Sequence, residues 1–282
     1  MPEGHTLHRL AAGLRERFAG EQVAVSSPQG RFADAAALLD GTVLVDAQSW
    51  GKHLFVEFAG DRFVHIHLGL IGKLELGTGP APAPVGQVRL RIGSSETAGC
   101  PSYADLRGAT TCDLVTREER QHVLDRLGPD PLRADADPGR AWERIRGSRA
   151  PIGALLMDQT VLAGVGNVYR AEVLFRHRMH PLRPGNTLRR RQFDALWSDL
   201  VALMHEGVEK GRIDTVREEH TPEAMQRPPR VDDHGGEVYV YRRQGQACHV
   251  CGSTVRTEVL GGRNLFWCAR CQPRFRSRAG VR

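Results

Sequence analysis

Cys248-His249-Val250-Cys251 and Cys268-Ala269-Arg270-Cys271 frame sixteen residues near the C-terminus of the chain. Two C-x2-C pairs at this spacing offer four thiolates to a closed tetrahedral site, the pattern of one structural Zn2+. Sixteen residues suffice for a β-hairpin that returns the second pair to the first. Disulfides and redox pairs share the spacing, but two matched pairs in a chain expected to be intracellular favour a metal that holds a fold and does no chemistry. At the tip, Gly261-Gly262-Arg263-Asn264 accommodates a tight turn and pushes Arg263 outward, either towards a phosphate or as one more solvated arginine. Cys100 and Cys112 belong to no pair and are expected as buried thiols.

Charge around the motif points to a polyanion. From Arg242 to the C-terminus the basic residues are Arg242, Arg243, Arg256, Arg263, Arg270, Arg274, Arg276, Arg278 and Arg282, opposed only by Glu258. The whole chain carries +6, which suits a nucleic-acid partner. Lysine occurs only as Lys52, Lys73 and Lys210 in a chain that otherwise uses arginine. A lysine kept here is a candidate for a compact ammonium that donates a proton or meets a phosphate.

Upstream of the cysteines the apolar spacing is helical. Ile152 to Asp158, Val168 to Phe175 and Arg190 to Val208 predict a second domain that is mainly α. Between the first two helices, Leu162-Ala-Gly164-Val-Gly166-Asn167-Val-Tyr169 breaks one and starts the next, releasing backbone amides that suit an anion. Asn167 is then either a further phosphate donor or a plain cap. Arg217 to Gly236, with Pro222, Pro228 and Pro229, predicts a long mobile loop. Gly128-Pro-Asp-Pro-Leu132 followed by Ala134-Asp-Ala-Asp-Pro138 predicts an interdomain linker over 128–140.

Before that linker, Thr42 to Ala47, His53 to Phe58, Phe63 to Leu68, Lys73 to Leu76 and Val88 to Ile92 are short, often alternating segments of an antiparallel β domain. Tyr103 to Val115 adds one or two strands, and Gly77 to Gly86 is expected as an exposed loop. At 282 residues, two domains with a small appendage are expected. No apolar run nears the roughly 18 residues of a membrane span, and Arg9, Arg15 and Glu16 interrupt any leader-like core. A soluble, cytoplasmic protein is expected.

The chain opens Met1-Pro2-Glu3-Gly4-His5-Thr6. A small second residue licenses removal of Met1, which would leave the secondary amine of Pro2 with an acid beside it. An N-terminal amine titrates near ~8, so a useful fraction is neutral and nucleophilic at neutral pH. Leu7, Leu10, Ala11, Leu14 and Phe18 predict a helix with Thr6 as its cap, whose positive end would further favour the neutral amine. Pro-Glu-Gly as a simple helix entry is the competing reading.

Taken together, Pro2-Glu3-Gly4, Gly51-Lys52-His53-Leu54, Gly128-Pro-Asp-Pro-Leu132, Asp158-Gln159 followed by Gly164-Val-Gly-Asn-Val-Tyr169, and Val240-Tyr241 leading through Arg243-x-Gly245 into the cysteine hairpin resemble the formamidopyrimidine-DNA glycosylase and endonuclease VIII family of base-excision repair enzymes. The resemblance covers essentially the whole chain. It implies an α+β protein: an antiparallel β-sandwich with a leading helix over 1–127, the linker 128–140, a helix-two-turn-helix domain over 141–237, and a zinc-finger hairpin with a basic tail over 238–282. Damaged duplex DNA would occupy the cleft between domains, near the nucleoid if the source is bacterial, and the protein would act as a monomer.

Residue by residue, the family implies that Pro2 attacks C1′ of a damaged nucleotide and that Glu3 assists ring opening and proton transfer. Lys52, Asn167 and Arg263 would hold phosphates beside the lesion. Extrusion of a base also needs a wedge, for which Leu70 and Ile71 are the candidates, with ordinary strand packing as the alternative. Two departures matter. Thr6 stands where the endonuclease VIII branch often has a second acid, and Asp105-Leu-Arg107-Gly108 lacks the phenylalanine of the formamidopyrimidine branch's void-filling set. The endonuclease VIII branch, and so oxidised pyrimidines, is favoured. A non-catalytic damaged-DNA binder, or a zinc ribbon for RNA or protein, would be the rival.

Overall fold

The computed structural model describes residues 2–94, 101–231 and 236–275. The chain divides into two compact units, one ending at Arg126 and the next starting at Leu127, each around its own apolar core.

In the first unit, α1 (Gly4–Phe18) buries Leu7, Ala11, Leu14 and Phe18 along one stripe. Its N-cap is Glu3, in extended backbone, and not Thr6. Gly4 and His5 are themselves buried, so packing carries the helix back beyond its apolar repeat. Next come β1 (Val23–Ser26), α2 (Ala33–Leu39), β2 (Leu44–Trp50), β3 (His53–Phe58), β4 (Arg62–His67), β5 (Lys73–Thr78), β6 (Val88–Ser94), β7 (Ser102–Arg107), β8 (Thr111–Val115) and α3 (Arg117–Asp125). The strands form two antiparallel sheets, β1-β6-β7-β5 and β2-β3-β4-β8. Leu54, Val56, Val64 and Ile66 from one sheet share a core with Leu74, Leu90, Ile92 and Leu106 from the other. Each such side chain contributes about 1.5–3 kcal/mol on burial, and the shared core makes the expected sandwich. Cys112 is buried in it, and that burial pushes its thiol up to about 12. Cys100 lies outside the described residues, as do Arg276, Arg278 and Arg282 of the basic tail.

The second unit contains α4 (Pro138–Arg146), α5 (Ile152–Leu155), α6 (Asn167–Arg176), α7 (Arg190–Lys210) and the hairpin β9 (Val255–Leu260) with β10 (Arg263–Cys268). Helix α6 is buried at every position from Asn167 to Phe175, the signature of a central helix. The expected linker differs from what the fold shows. Residues 128–131 are buried, the Gly128 N–H donates to Gln159 O at 2.9 Å, and Ala163 N–H donates to Pro129 O at 3.1 Å. A side chain at Gly128 would meet the Val161 main chain at 2.4 Å, so this segment is packed chain within the second unit. Asp137 caps α4, with Pro138 opening the helix; turn residues read as linker are helix-start chemistry.

The described part of 217–236 is likewise tied down. Arg217 N–H donates to the Tyr239 hydroxyl at 2.9 Å, and one carboxylate, Glu237, accepts from Arg230 N–H and the Arg227 guanidinium, each at 2.6 Å. Residues 232–235 of that predicted loop lie outside the described residues.

Candidate functional site

Lys52 and the Leu70–Ile71 pair reach one end of the sandwich. Arg15, late in α1, donates to Asp46 Oδ1 at 2.7 Å and to Ala47 O at 2.8 Å, which ties α1 to β2. Lys52 sits with Gly51 in the two-residue turn closed by the Trp50–His53 pair. Glu3 is wholly buried, whereas Pro2 is half-buried. Thr6 Oγ1 lies 3.3 Å from His5 Nε2, and burial together with nearby positive charge lowers the His5 imidazole to about 4. A neutral imidazole thus lies two residues along the chain from the buried acid.

Leu70 and Ile71 follow β4 at this same edge, since β4 pairs antiparallel with β3. They are 56% and 84% exposed, which removes strand packing as their explanation. Arg107, by contrast, is committed inside its sheet: it donates to Asp105 Oδ2 at 2.9 Å and to Val85 O at 3.0 Å, and pairs with Glu75.

Sequence reasoning missed the histidines of this edge. His53 Nδ1 lies 2.9 Å from His65 Nε2, and the His67 ring is 5.1 Å from that of His53. The row continues inward through Phe55, stacked 4.6 Å from His65, and Arg120 lies 4.6 Å over Trp50. Burial, then neighbouring imidazoles, lowers His53 to about 3; burial lowers His65 to about 4 and depresses His67 as well. Gly69 N–H donates to His67 Nδ1 at 3.2 Å, leaving Nε2 as the protonated donor of a neutral ring. The available signal was alternation: His65 and His67 are two apart on one strand, and His53 is the partner opposite.

In the second unit, Asn167 and the hairpin tip are joined directly. Gly166, not Asn167, is the N-cap of α6, so the plain-cap reading does not hold. The Asn167 amide instead donates to Asn264 O at 3.1 Å. Arg170, fully buried, donates to the same carbonyl at 2.9 Å and to Asn167 Oδ1. Gly261 and Gly262 take φ of 56° and 72°, values that suit glycine in a two-residue hairpin turn. Arg263 starts β10 opposite Leu260 and is exposed.

The base of the finger is fixed from α6 as well. Glu172, wholly buried, accepts from the N–H groups of Tyr239, Val240 and Tyr241 at 2.6, 2.9 and 2.8 Å and from the Thr215 hydroxyl at 2.6 Å. The four cysteine sulfurs lie within 4.8 Å of one another, with Cys248–Cys271 at 3.9 Å and Cys251–Cys268 at 3.4 Å. A tetrahedron of thiolates at Zn–S of about 2.3 Å has edges of about 3.8 Å, so the donor set fits one structural Zn2+. These separations exceed a disulfide bond, and the cysteines are free thiols. Gln272 secures the site, accepting from Cys268 N–H at 3.0 Å and donating to Met179 O at 2.8 Å. No helix among the described residues is long and apolar enough to cross a membrane.

Sandwich, helical unit and four-cysteine hairpin define the helix-two-turn-helix, zinc-finger class of DNA glycosylases. Family models match accordingly: the formamidopyrimidine-DNA glycosylase N-terminal domain over residues 1–112, its H2TH domain over 127–218, and the zinc finger found in FPG and IleRS over 245–274. The chain belongs to the formamidopyrimidine-DNA glycosylase and endonuclease VIII family of base-excision repair. It is 53% identical over 279 residues to Endonuclease 8 1 of Mycobacterium tuberculosis, covering 96% of this chain and 100% of the relative. It is 32% identical over 289 residues to the formamidopyrimidine-DNA glycosylase of Gluconobacter oxydans, again covering 96% and 100%. The fold matches Lactococcus lactis Fpg complexed with abasic-site DNA at a TM-score of 0.75 and 24% identity, over 96% of this chain and 100% of that one.

Proposed function

We propose that the protein is a bifunctional DNA glycosylase and abasic-site lyase that acts as a cytoplasmic monomer on damaged duplex DNA. With Met1 removed, the Pro2 nitrogen attacks C1′ and the base departs with the glycosidic electron pair. Glu3 moves protons during ring opening, and the resulting iminium acidifies C2′–H. Loss of that proton expels the 3′ phosphate, and a second elimination expels the 5′ phosphate. Lys52, Asn167 and Arg263 hold backbone phosphates, Leu70 and Ile71 fill the space of the extruded base, and Zn2+ keeps the hairpin shaped. A catalytic sandwich over 1–127, a DNA-binding helical domain over 141–237 and a zinc finger with basic tail over 238–282 belong to this reading.

The observation that carries the proposal is a wholly buried Glu3 next to Pro2, at the start of α1. An acid is buried at a helix start against its solvation cost only where something gains from it. The 53% relative named Endonuclease 8 1 supports the endonuclease VIII branch and hence oxidised pyrimidines. Borohydride trapping on abasic-site DNA tests the chemistry. Trimmed wild type forms a covalent adduct; Pro2→Gly and Met1-retained protein form none. Absence of an adduct from trimmed wild type overturns the mechanism, and cleavage of duplexes that each carry one defined lesion tests the branch.

A further inference from the structure

A cavity of about 240 Å3 lies in the second unit beside the finger, lined by Phe175, Tyr239, Val250, Arg178, Arg217 and Arg270. It adjoins the C-terminal end of α6. Asn167, at the other end, is about 12 Å away along the helix, so the cavity is separate from the hairpin-tip contact. Its floor is apolar: Phe175 and Tyr239 stack at 4.6 Å, and half-exposed Val250 borders them. No aspartate or glutamate lines it.

The guanidiniums around it are of two kinds. Arg176 is committed to Asp199 at 2.7 Å. Arg178, Arg217 and Arg270 have no carboxylate, carbonyl or ring partner among the described residues. Arg178 also adopts φ of 51°, just past the end of α6, where helices favour glycine. A side chain kept in the left-handed region points to a use for that side chain.

We propose that this cavity binds a nucleoside monophosphate, its ring against Phe175, Tyr239 and Val250 and its phosphate held by Arg178, Arg217 and Arg270. Guanidinium forks match phosphate oxygens, and the apolar floor favours a phosphate that carries a ring over a bare one. The volume, about 240 Å3, falls just below the ~300–1,000 Å3 of drug-sized sites, which excludes an oligonucleotide and leaves part of a bound nucleotide in solvent. Cys251 and Cys271 also border the cavity, so the occupant braces the finger.

The test is calorimetric titration of the full-length, zinc-loaded protein, with zinc release to a chromogenic chelator followed in parallel. Adenosine monophosphate binds at one site per chain, at least about tenfold tighter than orthophosphate or adenosine alone, and slows zinc release. Arg178→Gly, which relieves the left-handed backbone, and Arg217→Gln each weaken nucleotide binding about tenfold or more, whereas Arg263→Gln leaves it unchanged. Three results overturn the proposal: no saturable nucleotide binding, binding untouched by Arg178→Gly and Arg217→Gln, or binding lost in Arg263→Gln. Faster zinc loss from Arg178→Gly without any nucleotide also overturns it, because the arginines would then merely balance the charge of the zinc thiolates. Glycosylase activity enters none of these readouts.

Discussion

The side-chain amide of Asn167 donates to the main-chain carbonyl of Asn264 at 3.1 Å across 97 residues of chain. The start of α6 and the tip of the zinc hairpin are therefore one structural piece, with Arg170 donating to the same oxygen at 2.9 Å. An amide has two N–H donors, so Asn167 can hold the hairpin with one and present the other. Asn167→Ala is expected to cost about 1 kcal/mol of stability, because Arg170 still satisfies Asn264 O. Duplex binding is expected to fall about tenfold, the ~1.4 kcal/mol of one contact. Urea denaturation and fluorescence anisotropy read the two effects separately.

Glu172 is expected to be the most sensitive position of α6. Its carboxylate accepts from three successive backbone N–H groups and one hydroxyl, and Gln would turn an amide donor towards some of those donors. Glu172→Gln is expected to destabilise the second unit by about 2–4 kcal/mol, and Thr215→Val, which removes one donor, by about 1 kcal/mol. Chemical denaturation checks both; equal effects would mean that the backbone bonds contribute little.

Such contacts explain what the sequence could and could not reveal. The cysteine spacing, the double glycine and the strand alternation are local chemistry, legible at short range, and the structure carries all three. Glu172 reads as an ordinary helical glutamate because its partners lie up to 69 residues away. Gly128 to Leu132 reads as a linker because turn residues look alike whether exposed or packed against Val161. Asp137-Pro138 reads as a turn because a helix start uses the same residues, and the apolar stripe of α4 is short. His53, His65 and His67 are distant in sequence terms until β3 and β4 pair. Every miss is tertiary.

The histidine row predicts an acid limb in stability. His53 and His65 titrate at about 3 and about 4 in the folded protein, against about 6.5 unfolded. The unfolded chain thus binds more protons below pH ~6.5, so stability is full above that value and declines as pH falls towards about 3. Lys52, His67 and Arg126 disfavour a charge on His53, while Asp113 partly offsets the effect at His65. His65→Phe keeps a ring on Phe55 and is expected to flatten the limb, measured as the urea midpoint from pH 7 to 4.

Metal removal is expected to act on one unit. Cys248, Cys268 and Cys271 share a core cluster with Val255, Phe266 and the helices of the second unit, whereas the sandwich core contains none of them. Cys268→Ser or chelation is expected to abolish duplex binding while the sandwich keeps its amide protection in hydrogen exchange. Full binding by metal-free protein would refute the structural role.

Leu70 and Ile71 permit the sharpest separation of function from folding. At 56% and 84% exposed they contribute little to the core, so Leu70→Ala with Ile71→Ala is expected to change stability by less than about 0.5 kcal/mol. A wedge, however, offsets the few kcal/mol lost when a base leaves the stack. Glycosylase activity on duplex substrate is therefore expected to fall at least about tenfold, while activity on an abasic site in single-stranded DNA, where no stack needs breaking, stays near wild type. Equal loss on both substrates would place these side chains in general DNA affinity and remove them from base extrusion.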